Sequence, residues 1–187
     1  MLEITEQQYK EAAGIIGCDV ACIKAVKQVE ANGSGFMPDG SIKILFEPHV
    51  FWEQLKKVGI KPTLSDICYP NWQPGKYGAY SVQWKRLIRA KAIHKEAALK
   101  SASWGLFQVM GYNYGSCGYA SVFEMINLFG YGEHEHLKAF AKFIVNRKLA
   151  VHLVNKEWGA FALGYNGKGY KANKYDEKLE AAYKSFL

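Results

Sequence analysis

One run of β-branched and aromatic residues, Ile42-Lys43-Ile44-Leu45-Phe46, interrupts a chain whose other apolar residues recur mostly at helical spacing. The run follows Pro38-Asp39-Gly40, a turn signal, so residues 35–47 are predicted to form one small hairpin in an otherwise helical chain. Ahead of it, Thr5 opens a helix over residues 5–15, and Gln8 three positions on completes a capping box. Asp19 caps a second helix on which Val20, Ile23, Val26 and Val29 keep the helical period, and Asn32-Gly33 stops it. Beyond the hairpin, helices are predicted over residues 48–58, 81–100, 121–128, 135–155 and from about 175 onward. Leu137, Phe140, Ile144 and Val151 mark the buried stripe of the helix at 135–155. The intervening stretches read as a loop at 59–78 holding three of the five prolines, a glycine-rich centre at 105–118, and a Gly-Tyr-Asn-Gly-Lys-Gly-Tyr loop at 164–170. The class is mainly α with a small β-hairpin.

The 187 residues contain no repeat, low-complexity tract or linker, and they read as a single domain with length enough for a core. Apolar residues at 49% and charged residues at 22% exclude disorder. No apolar run approaches the roughly 20 residues of a bilayer span. The opening Met1-Leu2-Glu3-Ile4-Thr5-Glu6 carries two acids where a secretory signal carries basic residues, so a cytosolic start is expected. A net charge of +7 favours an anionic partner: nucleic acid, anionic lipid or an acidic wall polymer. Lys85, Arg86, Arg89, Lys91, Lys95 and Lys100 on the helix at 81–100 read as a solvated face ahead of a binding patch. Cys18, Cys22, Cys68 and Cys117 are too few for a disulfide framework and read as buried free thiols, the first two on one face of a helix. The cluster Gly132-Glu133-His134-Glu135-His136 suggests a metal site. Alternate helical positions point about 200° apart, however, so it reads as a polar helix start. Neither metal nor cofactor is expected, because phosphate-loop, dinucleotide, zinc-protease and serine-hydrolase signatures are all missing.

What remains is carboxylate chemistry. Glu30 lies in the last turn of the second helix, where the negative end of the dipole opposes its ionisation and Val26, Val29 and Phe36 stand ready to desolvate it. Both effects raise its pKa, as a general acid working near neutral pH requires. On position alone, an exposed glutamate at a helix end is the simpler reading.

The order of the pieces reverses that preference. A helix ending in Glu30, then Asn32-Gly33-Ser34-Gly35, a hairpin, Ser103-Trp104-Gly105-Leu106-Phe107-Gln108-Val109-Met110-Gly111 and Gly164-Tyr165-Asn166-Gly167 is similar to the layout of goose-type lysozymes and soluble lytic transglycosylases. Further stretches extend the likeness: Val29-Glu30-Ala31-Asn32-Gly33, Lys43-Ile44-Leu45-Phe46-Glu47-Pro48-His49, Arg86-Leu87-Ile88-Arg89-Ala90, Ser101 to Gln108, and Tyr175-Asp176-x-Lys178-Leu179. With these the chain resembles the phage endolysin N-acetylmuramidase domain family from about residue 15 to its end, as one catalytic domain without a separate wall-binding module. The resemblance implies a lysozyme-like α+β fold with the hairpin beside a cleft. It also implies a monomeric enzyme that cleaves peptidoglycan between N-acetylmuramic acid and N-acetylglucosamine. Such an enzyme is made in the host cytoplasm and reaches the periplasmic wall once the membrane is permeabilised; it needs neither nucleic acid nor stable membrane insertion.

Carried over residue by residue, Glu30 is the acid that protonates the glycosidic oxygen. Gln108, Tyr165 and Asn166 line the cleft, and Trp104 and Tyr112 are candidate stacking surfaces, with core packing an equal reading for Trp104. Glu47 ends the apolar run seventeen residues after Glu30 and is either a water-activating base or a cap for the helix starting at Pro48. A base of that kind stands about 6.5–9.5 Å from the acid in inverting glycosidases. Asp39 and Asp66 are weaker substitutes. A lytic transglycosylase keeps the same fold and the same Glu30 but uses the sugar's own 6-hydroxyl in place of water. Two other classes stand further off: a basic nucleic-acid-binding protein, drawing on the net charge, and an inactive wall-binding module, which has no use for a proton donor.

Overall fold

The computed structural model describes residues 3–31 and 33–187, so the helix stop expected at Asn32 and the opening Met1-Leu2 lie outside the described residues. In chain order the helices are α1 (Glu6–Ile16), α2 (Val20–Glu30), α3 (Pro48–Lys57), α4 (Gln83–Ile93), α5 (Lys95–Lys100), α6 (Val122–Phe129), α7 (Glu133–Asn146), α8 (Ala150–Val154), α9 (Trp158–Asn166) and α10 (Tyr175–Ser185). The strands are β1 (Ile44–Phe46), β2 (Ala102–Trp104) and β3 (Val109–Met110). Contacts group these elements into two compact units. The first holds the chain up to Ser34 with Ser116–Gly118 and Gly132–Leu187, and the second holds Gly35–Gly115 and Tyr119–Tyr131.

In the first unit, local chemistry starts the helices where the sequence indicates. Thr5 and Gln8 form the reciprocal capping box, the Gln8 amide donating to Thr5 Oγ1 at 3.3 Å and the Thr5 amide to Gln8 Oε1 at 2.9 Å. Gly17 closes α1 at φ +85°, and Asp19 Oδ1 then accepts from the Cys22 amide at 2.9 Å to open α2. Cys18 therefore precedes α2 and shares no helix with Cys22; Cys18 is half-buried, the other three cysteines are buried, and all four thiols are free. Ile23 and Val26 are fully buried with Phe140, Ile144, Phe161 and Leu179, where α10 packs on α2 and α1 on α7. The helix expected over 135–155 is broken. α7 ends at Asn146, Lys148 takes a left-handed φ of +59°, and Leu149 folds inward before α8 begins. The break takes Val151 off the buried stripe and leaves it 51% exposed. The loop expected at 164–170 is likewise corrected. Gly164, Tyr165 and Asn166 form the last turn of α9, and Gly167 at φ +76° ends it. A Cβ at Gly164 would stand 2.4 Å from Leu149 Cδ2, so a side chain there would require that leucine to shift.

In the second unit the predicted turn forms. Phe36 bridges Ile42, the Met37 amide donates to Ser41 O at 2.8 Å, and Asp39 Oδ1 accepts from both the amide and the hydroxyl of Ser41. The apolar run pairs back within that hairpin at Ile42 and Lys43, the Lys43 amide donating to Gly35 O at 2.8 Å, and then runs on into a three-stranded antiparallel sheet in the order β1-β2-β3. Ile44 faces Trp104 and Phe46 faces Ala102, while Ser103 and Trp104 face Met110 and Val109. Backbone hydrogen bonds to a distant strand complete what a five-residue run cannot satisfy alone. The helix expected over 81–100 is two helices: His94, in an extended conformation, ends α4 and caps α5, its Nδ1 accepting from the Ala97 amide at 3.1 Å. α5 meets the turn after β3 so closely that a Cβ on Gly111 would lie 2.2 Å from the Leu99 carbonyl oxygen. Gly111→Ala is therefore expected to destabilise the protein by about 1–3 kcal/mol or more, since backbone must move to admit one methyl. At about 2–4 °C per kcal/mol for a chain of this size, a thermal melt resolves the loss. An unchanged melting temperature would contradict the approach.

Candidate active site

Glu30 is the last residue of α2, Asn166 the last of α9 and Tyr175 the first of α10, so three helix ends in the first unit carry the groups around this carboxylate. Asn166 Nδ2 donates to Glu30 Oε1 at 2.7 Å, while Oε2 takes no bond among the described residues. Burial holds the Glu30 carboxyl above its ordinary pKa range; the Asn166 hydrogen bond and the positive charge of Lys178 pull it part of the way back. The side chain is half-buried, with Val26 fully buried and Val29 half-buried on the same helix, whereas Phe36 belongs to the second unit. Tyr165 stacks on Phe161 at 5.7 Å and 8° and meets Phe140 and Phe143 edge-on at 5.7 and 6.3 Å. Burial, then the charge of Glu30, push the Tyr165 hydroxyl far above its usual range, and the same two causes raise Tyr175. Tyr165 and Asn166 thus stand beside Glu30, one as a rigid wall and the other as a direct partner. Tyr175 and Lys178 belong to the same group. In the sequence they carry only the family likeness, and no spacing gives either residue a role at the site.

Glu47 occupies the N-cap position of α3 in the second unit, but its side chain makes no capping bond, which corrects the capping reading. Its Oε2 instead accepts the hydroxyl of Tyr77, and His49 Nδ1 lies 3.4 Å from the same oxygen. Tyr77 is itself clamped. Its carbonyl oxygen accepts from Arg86 Nη1 at 2.6 Å and from Gln83 Nε2 at 2.7 Å, and the buried Gln83 Oε1 accepts from the Phe46 amide at 3.2 Å. Burial first, then the bond to Glu47 and its charge, drive the Tyr77 hydroxyl above its usual range. Tyr77 escapes a reading of the sequence because it sits in the aperiodic stretch at 59–78, where no spacing singles out a residue.

Of the expected sugar contacts, Gln108 is partnered within the sheet, and Trp104 is corrected to a core residue. Gln108 spends its amide internally: Oε1 accepts from Ser103 Oγ at 2.9 Å, and Nε2 donates to Gly105 O at 2.7 Å and Lys43 O at 3.4 Å. These bonds hold a left-handed φ of +48° at Gln108, so the residue braces the turn between β2 and β3. Trp104 is 1% exposed, donates Nε1 to Leu99 O at 3.0 Å and packs edge-on against Trp84, which leaves no ring face for a sugar. Tyr112 is exposed. Neither substitute base is free: Asp39 holds its turn, and Asp66 is paired with both Nη atoms of Arg89 at 2.7 and 2.8 Å. Of the six basic residues considered on 81–100, four have local partners. Arg86 bonds Tyr77, Arg89 bonds Asp66, Lys100 bonds Glu96, and Lys95 lies over Phe123. Among the described residues no three His, Cys, Asp or Glu side chains converge as metal ligands, and no helix is long and apolar enough to cross a membrane.

The family model of N-acetylmuramidases matches residues 19–187. The crystal structure of the Burkholderia AP3 phage endolysin superposes with a TM-score of 0.91 at 35% identity, over 97% of this chain and 70% of that one. No curated protein matches the chain. Glu30 and its helix-end partners lie inside the matched span, and nearly the whole chain shares the endolysin's lysozyme-like, mainly α fold. The chain is thus a peptidoglycan hydrolase and belongs to the phage endolysin N-acetylmuramidase family.

Proposed function

We propose that the protein is a lysis enzyme that hydrolyses the β-1,4 bond between N-acetylmuramic acid and N-acetylglucosamine, with Glu30 as the general acid. One observation carries the reading: a half-buried carboxyl, held above its ordinary range, is gripped at one oxygen by a neutral amide, and no described residue bonds the other oxygen, which can carry the proton. Tyr165 walls the site and Asn166 orients the acid. Exposed Tyr112 is proposed as a sugar-stacking surface. Glu47 is proposed as the base that activates water. Its support is a carboxylate left free of the capping role and fixed in place by Tyr77. Residues 1–187 work as one catalytic domain and as a monomer, without cofactor, and act on the periplasmic wall after the membrane is permeabilised. Digestion of purified peptidoglycan followed by mass spectrometry tests the bond and the chemistry together. Hydrolysis leaves a reducing N-acetylmuramic acid end, whereas a product lighter by one water is the anhydro sugar of a transglycosylase and would reject the hydrolytic reading.

The Asn166 contact makes its own prediction. A general acid works protonated, so activity falls as pH rises through the Glu30 pKa. Asn166→Leu removes a donor that favours the ionised form and adds apolar surface, both of which raise that pKa. The alkaline limb of the pH–rate profile should move upward while kcat falls by about 10–100-fold from lost orientation. An alkaline limb that stays in place, or moves down, would show that Asn166 does not act on the ionisable acid.

A further inference from the structure

Two adjoining cavities of about 560 and 390 Å³ open in the first unit beside α2, sharing Tyr9, Lys24, Lys27 and Gly33 in their walls, and Glu30 lines neither. Lys24 is committed: it bonds Glu6 at 2.8 Å and lies 5.6 and 6.0 Å over the rings of Tyr9 and Phe186. Lys27 has no side-chain partner among the described residues, and it stands one turn before Glu30, about 4.5 Å back along the helix axis. The far wall is acidic, with Glu3 and with Glu133, whose Oε1 accepts the Ser34 hydroxyl at 2.8 Å. The hollow therefore offers a spare cation, carboxylates and aromatic walls within one recess.

We infer that this hollow is a subsite for the stem peptide that peptidoglycan carries on its muramic acid, with Lys27 taking a peptide carboxylate. The inference rests on the reading of Glu30 as the residue that acts on the glycan. The peptide hangs from the muramic acid ring next to the scissile bond, so a pocket one helical turn from the acid is within its reach. Stem peptides carry free carboxylates together with the amine of a diamino acid, and the mixed lining suits that zwitterion. Glu3, Glu6 and Glu133 set the recess against a polyanion such as nucleic acid, which needs an unbroken positive surface. An ammonium beside aromatic walls has less to gain from an uncharged glycan hydroxyl than from a carboxylate, where its hydrogen bond is charge-assisted.

The test compares kcat/KM on peptide-bearing glycan with that on chains stripped of stem peptide by an amidase. Wild type should favour the peptide-bearing chains. Lys27→Met should lower the ratio by about ten- to a hundredfold, the range of one charge-assisted bond, and Lys27→Arg should restore most of it. An unchanged ratio in Lys27→Met overturns the subsite. Inactivity of the wild type on both substrates rejects the glycosidase reading instead, and the pocket is then decided by titrating N-acetylmuramoyl tetrapeptide and following the backbone amide signals of Lys24, Lys27 and Gly33 by NMR. Shifts abolished by Lys27→Met support the subsite, and no shifts overturn it.

Discussion

Glu30→Gln is expected to lower peptidoglycan hydrolysis by at least about 10²–10⁴-fold, the contribution of a positioned general acid. The loss should reach the upper end, because a sugar alkoxide leaves poorly without a proton. Glutamine keeps the length and volume of the side chain, and its Oε1 still accepts from Asn166 Nδ2, so the contact between α2 and α9 survives. What disappears is the transferable proton. The stability effect has a definite sign. A carboxyl whose folded pKa lies above its unfolded value binds protons more readily in the native state, so its contribution to stability declines as pH rises through that interval. Above it, the native protein bears the cost of a half-buried charge that the neutral amide of the variant does not carry. The variant should therefore melt no lower than wild type at neutral pH, with any gain vanishing in acid. Normal melting with turnover abolished is the expected pair of results. A Glu30→Gln protein that digests peptidoglycan at the wild-type rate would end the assignment of Glu30.

The legible parts of the molecule are the ones written locally. Thr5 with Gln8, and Asp19 with the apolar period behind it, name their helix starts because a cap and its target amide lie within three residues. The breaks at His94 and Lys148 leave no such mark. Neither is glycine or proline, and the left-handed turn at Lys148 forms where Leu149 enters the core, a decision of tertiary packing. The sheet shows the same divide. Ile42–Phe46 announces a strand, but its partner, Ala102–Trp104, lies more than fifty residues on, in the few residues between the helix expected over 81–100 and the glycine-rich centre at 105–118. In the candidate site, position and family resemblance together single out Glu30. Its bond to Asn166 spans 136 residues and becomes visible only in the fold. Trp104 shows the opposite failure: a tryptophan has the same letter whether it faces a sugar or packs in the core, and only burial separates the two.

Glu47→Gln should lower kcat by about 10²–10³-fold if Glu47 removes the proton from attacking water, because the amide has the carboxylate's shape but no basicity. The Tyr77 hydroxyl still finds an oxygen on the substituted side chain, so the variant keeps the hydrogen bond that fixes it and isolates the chemical role. Tyr77→Phe makes the converse change: it leaves the base but frees its rotamer, and it should cost less, on the order of tenfold. Chemical rescue gives the readout that packing cannot imitate. In Glu47→Ala, azide is small enough to stand where water stood and needs no base, so it should restore bond cleavage and yield a glycosyl azide of inverted configuration. Glu47 is a poor cap by geometry, since its carboxylate points to Tyr77 instead of the amides of α3, so Glu47→Gln should shift the melting temperature little. If Glu47→Gln keeps activity within a few-fold of wild type and azide rescues nothing, Glu47 is a structural anchor for the Tyr77 segment. The water or hydroxyl that attacks must then be activated by a group other than this carboxylate.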